Sequence, residues 1–406
     1  MMNLEFGLGV RREADQLLKS GNDPNQVANI VWKKDKQGYN YGIGIILDDK
    51  GKPMPSSATL LQYAKEEVEN STSGDYKNSN ALLEDVKQSV LAWQRIPQSH
   101  WDRFRIILPS DAGTGAIETA IHVALMIDAS INAIGIEELG WPAYRTMAKA
   151  NRLGVREYGQ EAVINEPGVL PIYQAGPMNT TGQVKGAGVI GERARGAAEK
   201  NRMCLLDRAY SGFEYARDLE RVGYDAIMKM SYELQVKPFI EAGTPFLMAL
   251  SPTKAFLTFS LRPCGFLLLY HPDSKKDAEM TNTLNGAIRA RGSSFEHAMT
   301  RAFARAMVKD RARLEGEHEG ALRRLASVER QWRTLAQGTP IHQLFSDNYA
   351  GLFRNPSATP EAPENIYNEH LYPVFSAGRC RLNATGLPSD PALAEKHVAV
   401  FAKFCH

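Results

Sequence analysis

The chain has little of what marks membrane, secreted and nucleic-acid-binding proteins. Its 406 residues contain no apolar run near the roughly 18 residues that a membrane-spanning helix needs. The N-terminus lacks a signal-peptide layout. A net charge of only +2 implies neither nucleic acid nor an anionic membrane as a partner. The four cysteines lack metal-ligand spacing, so we expect reduced thiols and no metal. We therefore expect a cytoplasmic protein with more than one domain.

The most informative segment present is Ser251-Pro-Thr-Lys254, with Arg262 shortly after it. The apolar run before it, 246–250, is typical of a buried strand that brings the lysine to the edge of a pocket. A lysine can condense with an aldehyde, whereas a hydroxyl and a guanidinium can hold a phosphate. Pyridoxal 5′-phosphate needs all three groups. Alone the S-x-x-K pattern is weak, because penicillin-binding proteins carry it and use the serine as nucleophile.

Two further segments supply the other parts of such a site. The strand-like run 104–108 is followed by Gly113-Thr-Gly115 and a helical pattern. A helix N-terminus binds phosphate through its free N–H groups and its dipole. A second strand-like run, 203–206, leads into Asp207. A carboxylate at the end of a buried strand is costly unless it meets a cation, and a protonated pyridine nitrogen is such a cation.

These motifs, in this order, resemble those of the class I (aspartate/aromatic) aminotransferase family, which are fold-type I pyridoxal 5′-phosphate enzymes. The resemblance spans about 41–387 and rests on D-x-A-Y-x-G-F from Asp207, N-x-T-G from Asn179, G-T-G from Gly113, S-x-x-K with its following arginine, and R-x-N-x-x-G from Arg381. It implies an α/β fold, with a large domain around a mostly parallel sheet and a small α+β domain from both chain ends. The implied division is 1–55 for the N-terminal arm and part of the small domain, 56–310 for the large cofactor domain, and 311–406 for the C-terminal small domain.

The resemblance implies three sets of site residues. The catalytic set would carry the aldehyde and the α-proton, hold the pyridine nitrogen and donate to the ring oxygen; it is Lys254, Asp207 and Tyr210. The other cofactor contacts would come from Gly113, Thr114, Trp141, Asn179, Ser251, Arg262 and, from the neighbouring subunit, Tyr76. The substrate would bind through its α-carboxylate to Arg381, along an edge formed by Gly44, Trp141 and Asn179. Arg289 would bind a distal carboxylate in the partner's site.

Departures from the family pattern bear mainly on the substrate. Ala112 stands where a small polar residue commonly contacts the phosphate, and Tyr144 stands where the family can place a histidine behind Asp207. The aromatic and proline residues that normally follow the distal arginine are absent after Arg289. A solvated helix arginine is therefore the alternative for Arg289, and Arg291 is the other candidate for binding a distal carboxylate.

The expected protein is a homodimeric pyridoxal-phosphate-dependent aminotransferase. It would move an amino group between an L-amino acid of the aspartate, glutamate or aromatic class and a 2-oxo acid in a ping-pong cycle. One alternative is a lyase or decarboxylase on the same fold, because the α-bond that breaks depends on its orientation to the ring plane. Another is a cofactor-binding regulatory protein without catalysis, against which the retained Lys254 argues.

Outside the site, the apolar periodicity predicts helical structure over about 285–337 and a final helix over 390–406. The residues 353–363, rich in proline and polar side chains, are interpreted as a loop.

Overall fold

The computed structural model describes residues 5–292 and 295–406. Its helices are α1 (Glu5–Lys19), α2 (Pro24–Lys33), α3 (Ala58–Glu69), α4 (Leu83–Trp93), α5 (Ala112–Ile127), α6 (Ala143–Ala150), α7 (Ala187–Glu199), α8 (Leu219–Gln235), α9 (Lys237–Glu241), α10 (Pro252–Ala255), α11 (Asp277–Gly292), α12 (Ala298–Lys309), α13 (Arg311–Leu335), α14 (Ala362–Asn368) and α15 (Pro391–Phe404). Its strands are β1 (Tyr39–Asn40), β2 (Phe104–Ile107), β3 (Ala133–Glu137), β4 (Gly154–Tyr158), β5 (Val169–Gln174), β6 (Cys204–Arg208), β7 (Phe246–Leu250), β8 (Phe266–Tyr270), β9 (Phe353–Arg354), β10 (Leu371–Tyr372), β11 (Val374–Ser376) and β12 (Arg379–Asn383). Within these ranges, none of the helices has both the length and the apolar character that crossing a membrane requires.

Seven strands of the described chain form the central sheet, in the order β2-β8-β7-β6-β5-β3-β4. β8 runs antiparallel to both β2 and β7, whereas the other neighbouring pairs are parallel. The interior strands β3, β5, β6, β7 and β8 are buried along their whole length. Such continuous burial is expected where helices cover both faces of a sheet. The predicted α/β fold with a mostly parallel sheet is confirmed.

The two faces of the sheet pack into separate cores, because successive side chains of a strand point in opposite directions. On β7, Met248 belongs to one core, together with Trp93, Phe256 and the helices α4 and α12. Its neighbour Leu247 belongs to the other core, together with the helices α5 and α11. The sheet is therefore held from both sides, and its carboxyl edge is left to build a site.

The two chain ends meet in a second region of packed helices and short strands. β1 pairs in parallel with β10, and β12 lies between β11 and β9. Helix α1 packs on α14 so closely that a Cβ at Gly7 would lie 1.9 Å from the carbonyl oxygen of Glu364. An ion pair of 2.9 Å joins Arg11 to the carboxylate of Glu364. The first helices thus pack on the C-terminal part of their own chain.

The local predictions outside the site are confirmed in part. The helical pattern over 285–337 is present as α11, α12 and α13, with Ser293 and Ser294 outside the described residues. The final helix is confirmed as α15. The loop interpretation of 353–363 is wrong at both ends. Phe353 pairs with Asn383 in β9, and α14 begins at Ala362, because strand pairing with a distant segment overrides local composition.

Candidate active site

The carboxyl ends of three neighbouring strands bring polar residues to one edge of the sheet. Gln174, the last residue of β5, lies beside Asp207 of β6, which in turn lies beside Ala249 of β7. The chain leaves β7 through Ser251 and enters the short helix α10, which carries Lys254. Parallel strands end at the same edge, so residues far apart in sequence become neighbours here.

A cavity of about 320 Å³ lies at this edge. Its volume is at the lower end of the about 300–1,000 Å³ that small-molecule sites occupy. Ten of the predicted site residues line it: Gly44, Gly113, Thr114, Trp141, Asn179, Asp207, Tyr210, Ser251, Lys254 and Arg262. The structure therefore brings together residues from the N-terminal loop, four strand ends and the start of α5.

One end of the cavity is suited to an anion. Helix α5 begins here, and the first N–H groups of a helix have no acceptor within the helix. Gly113 packs so closely on β7 that a Cβ would lie 2.5 Å from the Cβ of Ser251, and only glycine fits there. The Ser251 hydroxyl and the Arg262 guanidinium line the same end. The N–H groups at the start of α5, the Ser251 hydroxyl and the Arg262 guanidinium are together suited to bind a phosphate group.

The backbone before α5 turns sharply to present this helix end. Asp111 and Ala112 both have left-handed backbones, with φ of 68° and 55°. The carbonyl oxygen of Asp111 accepts a hydrogen bond of 3.3 Å from Arg262 Nη2, and its carboxylate accepts one of 3.2 Å from Arg291. The methyl side chain of Ala112 adds no hydrogen-bond donor for an anion at this end of the cavity.

The cavity is also lined by the carboxylate of Asp207, a residue that is 7% exposed. Asp207 Oδ2 accepts a hydrogen bond of 2.5 Å from the Tyr144 hydroxyl, and Oδ1 accepts one of 3.1 Å from the N–H of Ala209. Burial raises the pKa of Asp207, while the Tyr144 hydrogen bond, the charge of Lys254 and the Ala209 N–H lower it. A buried carboxylate in this setting is best satisfied by a further cation.

Tyr210 and Asn179 form a hydrogen-bonded pair on the cavity wall. Asn179 Nδ2 donates to the Tyr210 oxygen at 2.7 Å, so the proton of the phenol is free to be donated to another acceptor. Burial raises the pKa of Tyr210, and the nearby Asp207 carboxylate raises it further. Tyr210 is therefore a neutral hydrogen-bond donor rather than a base.

Lys254 faces Tyr210 across the cavity, with Nζ 5.1 Å from the centre of the Tyr210 ring. Burial lowers the pKa of Lys254; the Asp207 carboxylate opposes this shift, and the charge of Arg262 adds to it. A lowered pKa increases the fraction of neutral amine, which is the form that attacks a carbonyl carbon or accepts a proton.

Three predicted residues do not line this cavity. Arg381 lies beside it, near enough to Tyr210 for that residue to affect its pKa, with its guanidinium 4.3 Å from the centre of the Phe353 ring. Tyr76 is 80% exposed and stacks on Phe295. Arg289 lines a separate cavity of about 890 Å³. The predicted roles of Tyr76 and Arg289 require a second subunit, and they stay predictions.

Sequence reasoning missed part of the cavity wall. Gln174 lines the cavity, its Oε1 accepts a hydrogen bond of 2.8 Å from the N–H of Asn179, and its buried Nε2 has no partner among the described residues. The sequence pattern could have indicated Gln174, because it is a polar residue at the end of an apolar run, as Asp207 is. Phe259, Thr253 and Ile117 also line the cavity, and no local pattern marks them.

The residues present fit pyridoxal 5′-phosphate. The anion-binding end fits its phosphate, and the buried carboxylate of Asp207 fits its pyridine nitrogen. The unpartnered Nε2 of Gln174 offers one more donor to a bound group. Lys254 lines the same cavity, and both Asp207 and Arg262 are near enough to affect its pKa, so its amine fits the aldehyde of such a group.

Comparisons of sequence and of structure give different results. No family model matches the chain, and no curated protein matches it in sequence. In structure it is similar to an aromatic amino acid aminotransferase from Burkholderia cenocepacia J2315, with a TM-score of 0.77 and 18% identity over 94% of this chain and 97% of that one.

Two further solved structures give the same picture. An aromatic-amino-acid aminotransferase from Burkholderia pseudomallei, covalently bound to pyridoxal phosphate, has a TM-score of 0.77 at 17% identity, over 94% of this chain and 97% of that one. The aspartate aminotransferase from Saccharomyces cerevisiae cytoplasm has a TM-score of 0.71 at 17% identity, over 94% and 96%. Likeness at this identity shows that the chain has the fold of these enzymes.

Proposed function

We propose that the chain is a pyridoxal 5′-phosphate-dependent aminotransferase, which moves an amino group from an L-amino acid to a 2-oxo acid. The observation that carries the proposal is the convergence of Lys254, Asp207 and Arg262 on one cavity of suitable size. When bound, the cofactor supplies an aldehyde that accepts the amino group and a ring that takes up the electrons of the substrate Cα–H bond.

Lys254 would hold the cofactor and later move a proton. Its neutral amine, favoured by the lowered pKa, would be the group that holds the cofactor through its aldehyde. The same amine would also be the base that accepts the proton of the substrate Cα, and its protonated form would be the acid that returns this proton. One residue would thus act first as nucleophile and then as base and acid.

Asp207 and Tyr210 would tune the ring without moving protons themselves. The carboxylate of Asp207, held by Tyr144 and the Ala209 N–H, would face the pyridine nitrogen and favour its protonated form. Tyr210 would donate to the ring oxygen, because its own oxygen already accepts from Asn179. Trp141 would stack on the ring, and it already meets Tyr144 edge-on with ring centres 5.3 Å apart.

The substrate would be fixed by its carboxylates. Arg381 would bind the α-carboxylate, beside the edge formed by Gly44 and Asn179. Arg289 would bind a distal carboxylate in the partner's site, and Tyr76 would reach the partner's phosphate. In support of this, Phe295 stacks on the exposed Tyr76 and also lines the cavity that contains Arg289.

The assembly and domain division belong to the same proposal. We infer a homodimer with shared sites, since Tyr76 and Arg289 have roles only across two chains. The division 1–55, 56–310 and 311–406 is supported by the start of α13 at Arg311 and by the pairing of β1 with β10. A cytoplasmic location is supported by four buried cysteines, all of them free thiols.

The test follows the amino nitrogen. Purified protein with pyridoxal 5′-phosphate is mixed with an amino acid carrying an isotopically labelled amino group and with 2-oxoglutarate, and the products are analysed by mass spectrometry. The proposal expects the label in glutamate, in stoichiometric amount with the new 2-oxo acid. Release of the label as ammonia would instead establish a lyase, which the altered surroundings of Asp207 make the second candidate.

A further inference from the structure

Helix α2 places the side chain of Asn25 on the guanidinium of Arg381. Arg381 Nη2 donates one hydrogen bond to Asn25 Oδ1 and a second, of 3.0 Å, to the carbonyl oxygen of Gly42. This nitrogen carries two protons, so both are already in use.

A two-point contact between a guanidinium and a carboxylate always uses an Nη2 proton. The fork pairs Nη2 either with Nε or with Nη1. Arg381 Nε is buried and has no hydrogen-bond partner among the described residues. A carboxylate can therefore complete the fork of Nε and Nη2 only after one of the two present acceptors leaves Nη2.

Asn25 is the acceptor that can leave. Gly42 is a buried backbone position, and its own N–H donates to Asn40 Oδ1 at 2.9 Å, so moving its carbonyl would require the chain to shift. Asn25 is exposed, and its amide can leave by rotation of the side chain, which besides the contact with Arg381 breaks the exposed hydrogen bond from Nδ2 to Asp23 Oδ1. Side-chain rotation in an exposed residue is fast and inexpensive compared with a backbone shift.

The position of Asn25 is nevertheless well defined. Asp23 caps the N-terminus of α2, and its Oδ1 accepts hydrogen bonds of 2.8 Å from both the N–H and Nδ2 of Asn25. With Nδ2 held by Asp23, the Oδ1 atom of Asn25 is turned toward Arg381. The Phe353 ring, 4.3 Å from the guanidinium carbon of Arg381, supports the cation on another side.

We propose that Asn25 is a specificity-determining residue, which competes with the substrate α-carboxylate for Arg381. Only a ligand that gains a two-point ionic contact displaces the Asn25 amide, whereas a carboxamide, which offers a single neutral acceptor, does not. Asn25 thus increases the selectivity for carboxylates while lowering their affinity. The inference rests on the proposed function for the role of Arg381 in binding the α-carboxylate.

Two substitutions of Asn25 have opposite expected effects. Asn25→Ala removes the competing acceptor and keeps the helix cap, because Asp23 still accepts from the backbone N–H at this position. Asn25→Asp replaces a neutral competitor by a charged one. Gln26→Ala is the matched control, since it removes an exposed amide from the next position of the same helix.

The probes are succinate, 3-phenylpropionate and 3-phenylpropanamide, none of which has an amino group to transfer. Binding to the cofactor-loaded protein is measured by calorimetry, so that no turnover is needed. We expect Asn25→Ala to bind the carboxylates about fivefold more tightly and Asn25→Asp to bind them about tenfold more weakly, in line with the strength of hydrogen bonds to charged groups. The preference for 3-phenylpropionate over its amide should fall in Asn25→Ala, and Gln26→Ala should match the wild type.

The outcomes separate this inference from the proposed function. Weaker carboxylate binding in both Asn25 variants would mean that Asn25 only supports the structure, and equal binding in all proteins would mean that it does not compete; either result overturns the inference. The absence of carboxylate binding in the wild type would also overturn it. Opposite effects in the two variants would support it even if the labelled amino group were released as ammonia, a result that would reject the aminotransferase alone.

Discussion

Two cavities of the molecule differ in how they are built and in which predicted residues they contain. The smaller, of about 320 Å³, lies where strand ends meet α5, and ten predicted residues line it. The larger, of about 890 Å³, lies between α4, α11 and β2, has a charged lining that includes Lys87, Arg105 and Arg291, and contains Arg289. A single chain thus supplies ten of the predicted cofactor and substrate residues to one cavity. Of the two residues proposed to act across subunits, Arg289 lines the larger cavity, and Tyr76 stacks on Phe295 at its edge.

Removing the amine of the smaller cavity gives the largest expected effect. Lys254→Ala should lower amino transfer by at least about a thousandfold, because proton transfer by a positioned group contributes about 10²–10⁴-fold and the covalent attachment is lost as well. The measurement is the turnover of cofactor-loaded protein.

The matched control for that substitution is Lys403→Ala. Lys403 Nζ also lies 5.1 Å from the centre of an aromatic ring, that of Phe404, but on the exposed side of α15. The control should keep full activity. Substantial turnover by Lys254→Ala would show that the chemistry does not occur in the smaller cavity.

Two arginine substitutions compare the cavities directly. Arg262→Gln should weaken pyridoxal 5′-phosphate about 10- to 100-fold, since a charged hydrogen bond contributes about 1.5–3 kcal/mol. Arg289→Leu should leave the affinity for the cofactor unchanged and should weaken aspartate and glutamate far more than phenylalanine. Cofactor affinity is measured by fluorescence titration and substrate preference by kcat/KM.

The expected results for Arg262→Gln and for Arg289→Leu can each be contradicted. Equal loss of cofactor affinity in both variants would mean that the two cavities do not have separate tasks. Equal losses for aspartate, glutamate and phenylalanine in Arg289→Leu would remove Arg289 from substrate recognition and leave it as a solvated helix residue.

A smaller effect is expected from the residue behind Asp207. Tyr144→Phe removes the hydrogen bond of 2.5 Å to Asp207 Oδ2, so the pKa of Asp207 should rise and the ring nitrogen should be protonated less completely. We expect kcat to fall about tenfold, as the loss of one hydrogen bond to a charged group predicts. Tyr158→Phe, on β4 outside the cavity, is the control; an equal effect of both substitutions would indicate a general loss of packing.

The buried side chain of His318 should make the free energy of unfolding depend on pH. His318 is fully buried beside Phe256, and its Nδ1 lies 2.9 Å from the Tyr224 hydroxyl oxygen, within hydrogen-bond distance. Burial lowers the pKa of His318 from 6.5 to about 3. Between these values the unfolded chain binds a proton that the folded chain does not, so the free energy of unfolding should fall as the pH falls, by about 1.4 kcal/mol per pH unit.

Chemical denaturation of the wild type and of His318→Gln between pH 6.5 and pH 3 tests this dependence. The difference between the two proteins isolates His318, because the other groups, including Asp207 with its raised pKa, titrate in both. The slope should be shallower in His318→Gln, and the exposed His406→Gln should keep the wild-type slope. Equal slopes in all three proteins would contradict a neutral buried His318.

Apolar runs predict part of the smaller cavity, because Asp207 and Lys254 come at or soon after such runs, whereas most of its other residues were expected from the resemblance to the aminotransferase family. Lys254 comes soon after β7, and Asp207 lies within β6, which extends two residues beyond the predicted run. The apolar pattern marks the strands, and the residues at their carboxyl ends then gather at one edge of the parallel sheet. The same reasoning would have found Gln174 at the end of β5.

Contacts between distant segments could not be predicted in this way. Asn25 and Arg381 are 356 positions apart and meet only because the two chain ends fold together. The wall residue Phe259 has no periodic pattern that points to the cavity, and the pairing of β9 is set by β12 rather than by its own composition. For Tyr144 the resemblance to the aminotransferase family implied a position behind Asp207, and the structure adds the hydrogen bond between them.

Aminotransferase activity is tested most directly by the absorbance spectrum of the cofactor-loaded protein during titration with single amino acids. We predict that a substrate amino acid converts the band of the aldehyde form of the cofactor into that of its amine form, and that 2-oxoglutarate then restores the first band. Formation of ammonia and pyruvate without the amine form, or an unchanged spectrum with every amino acid despite full cofactor loading, would contradict it.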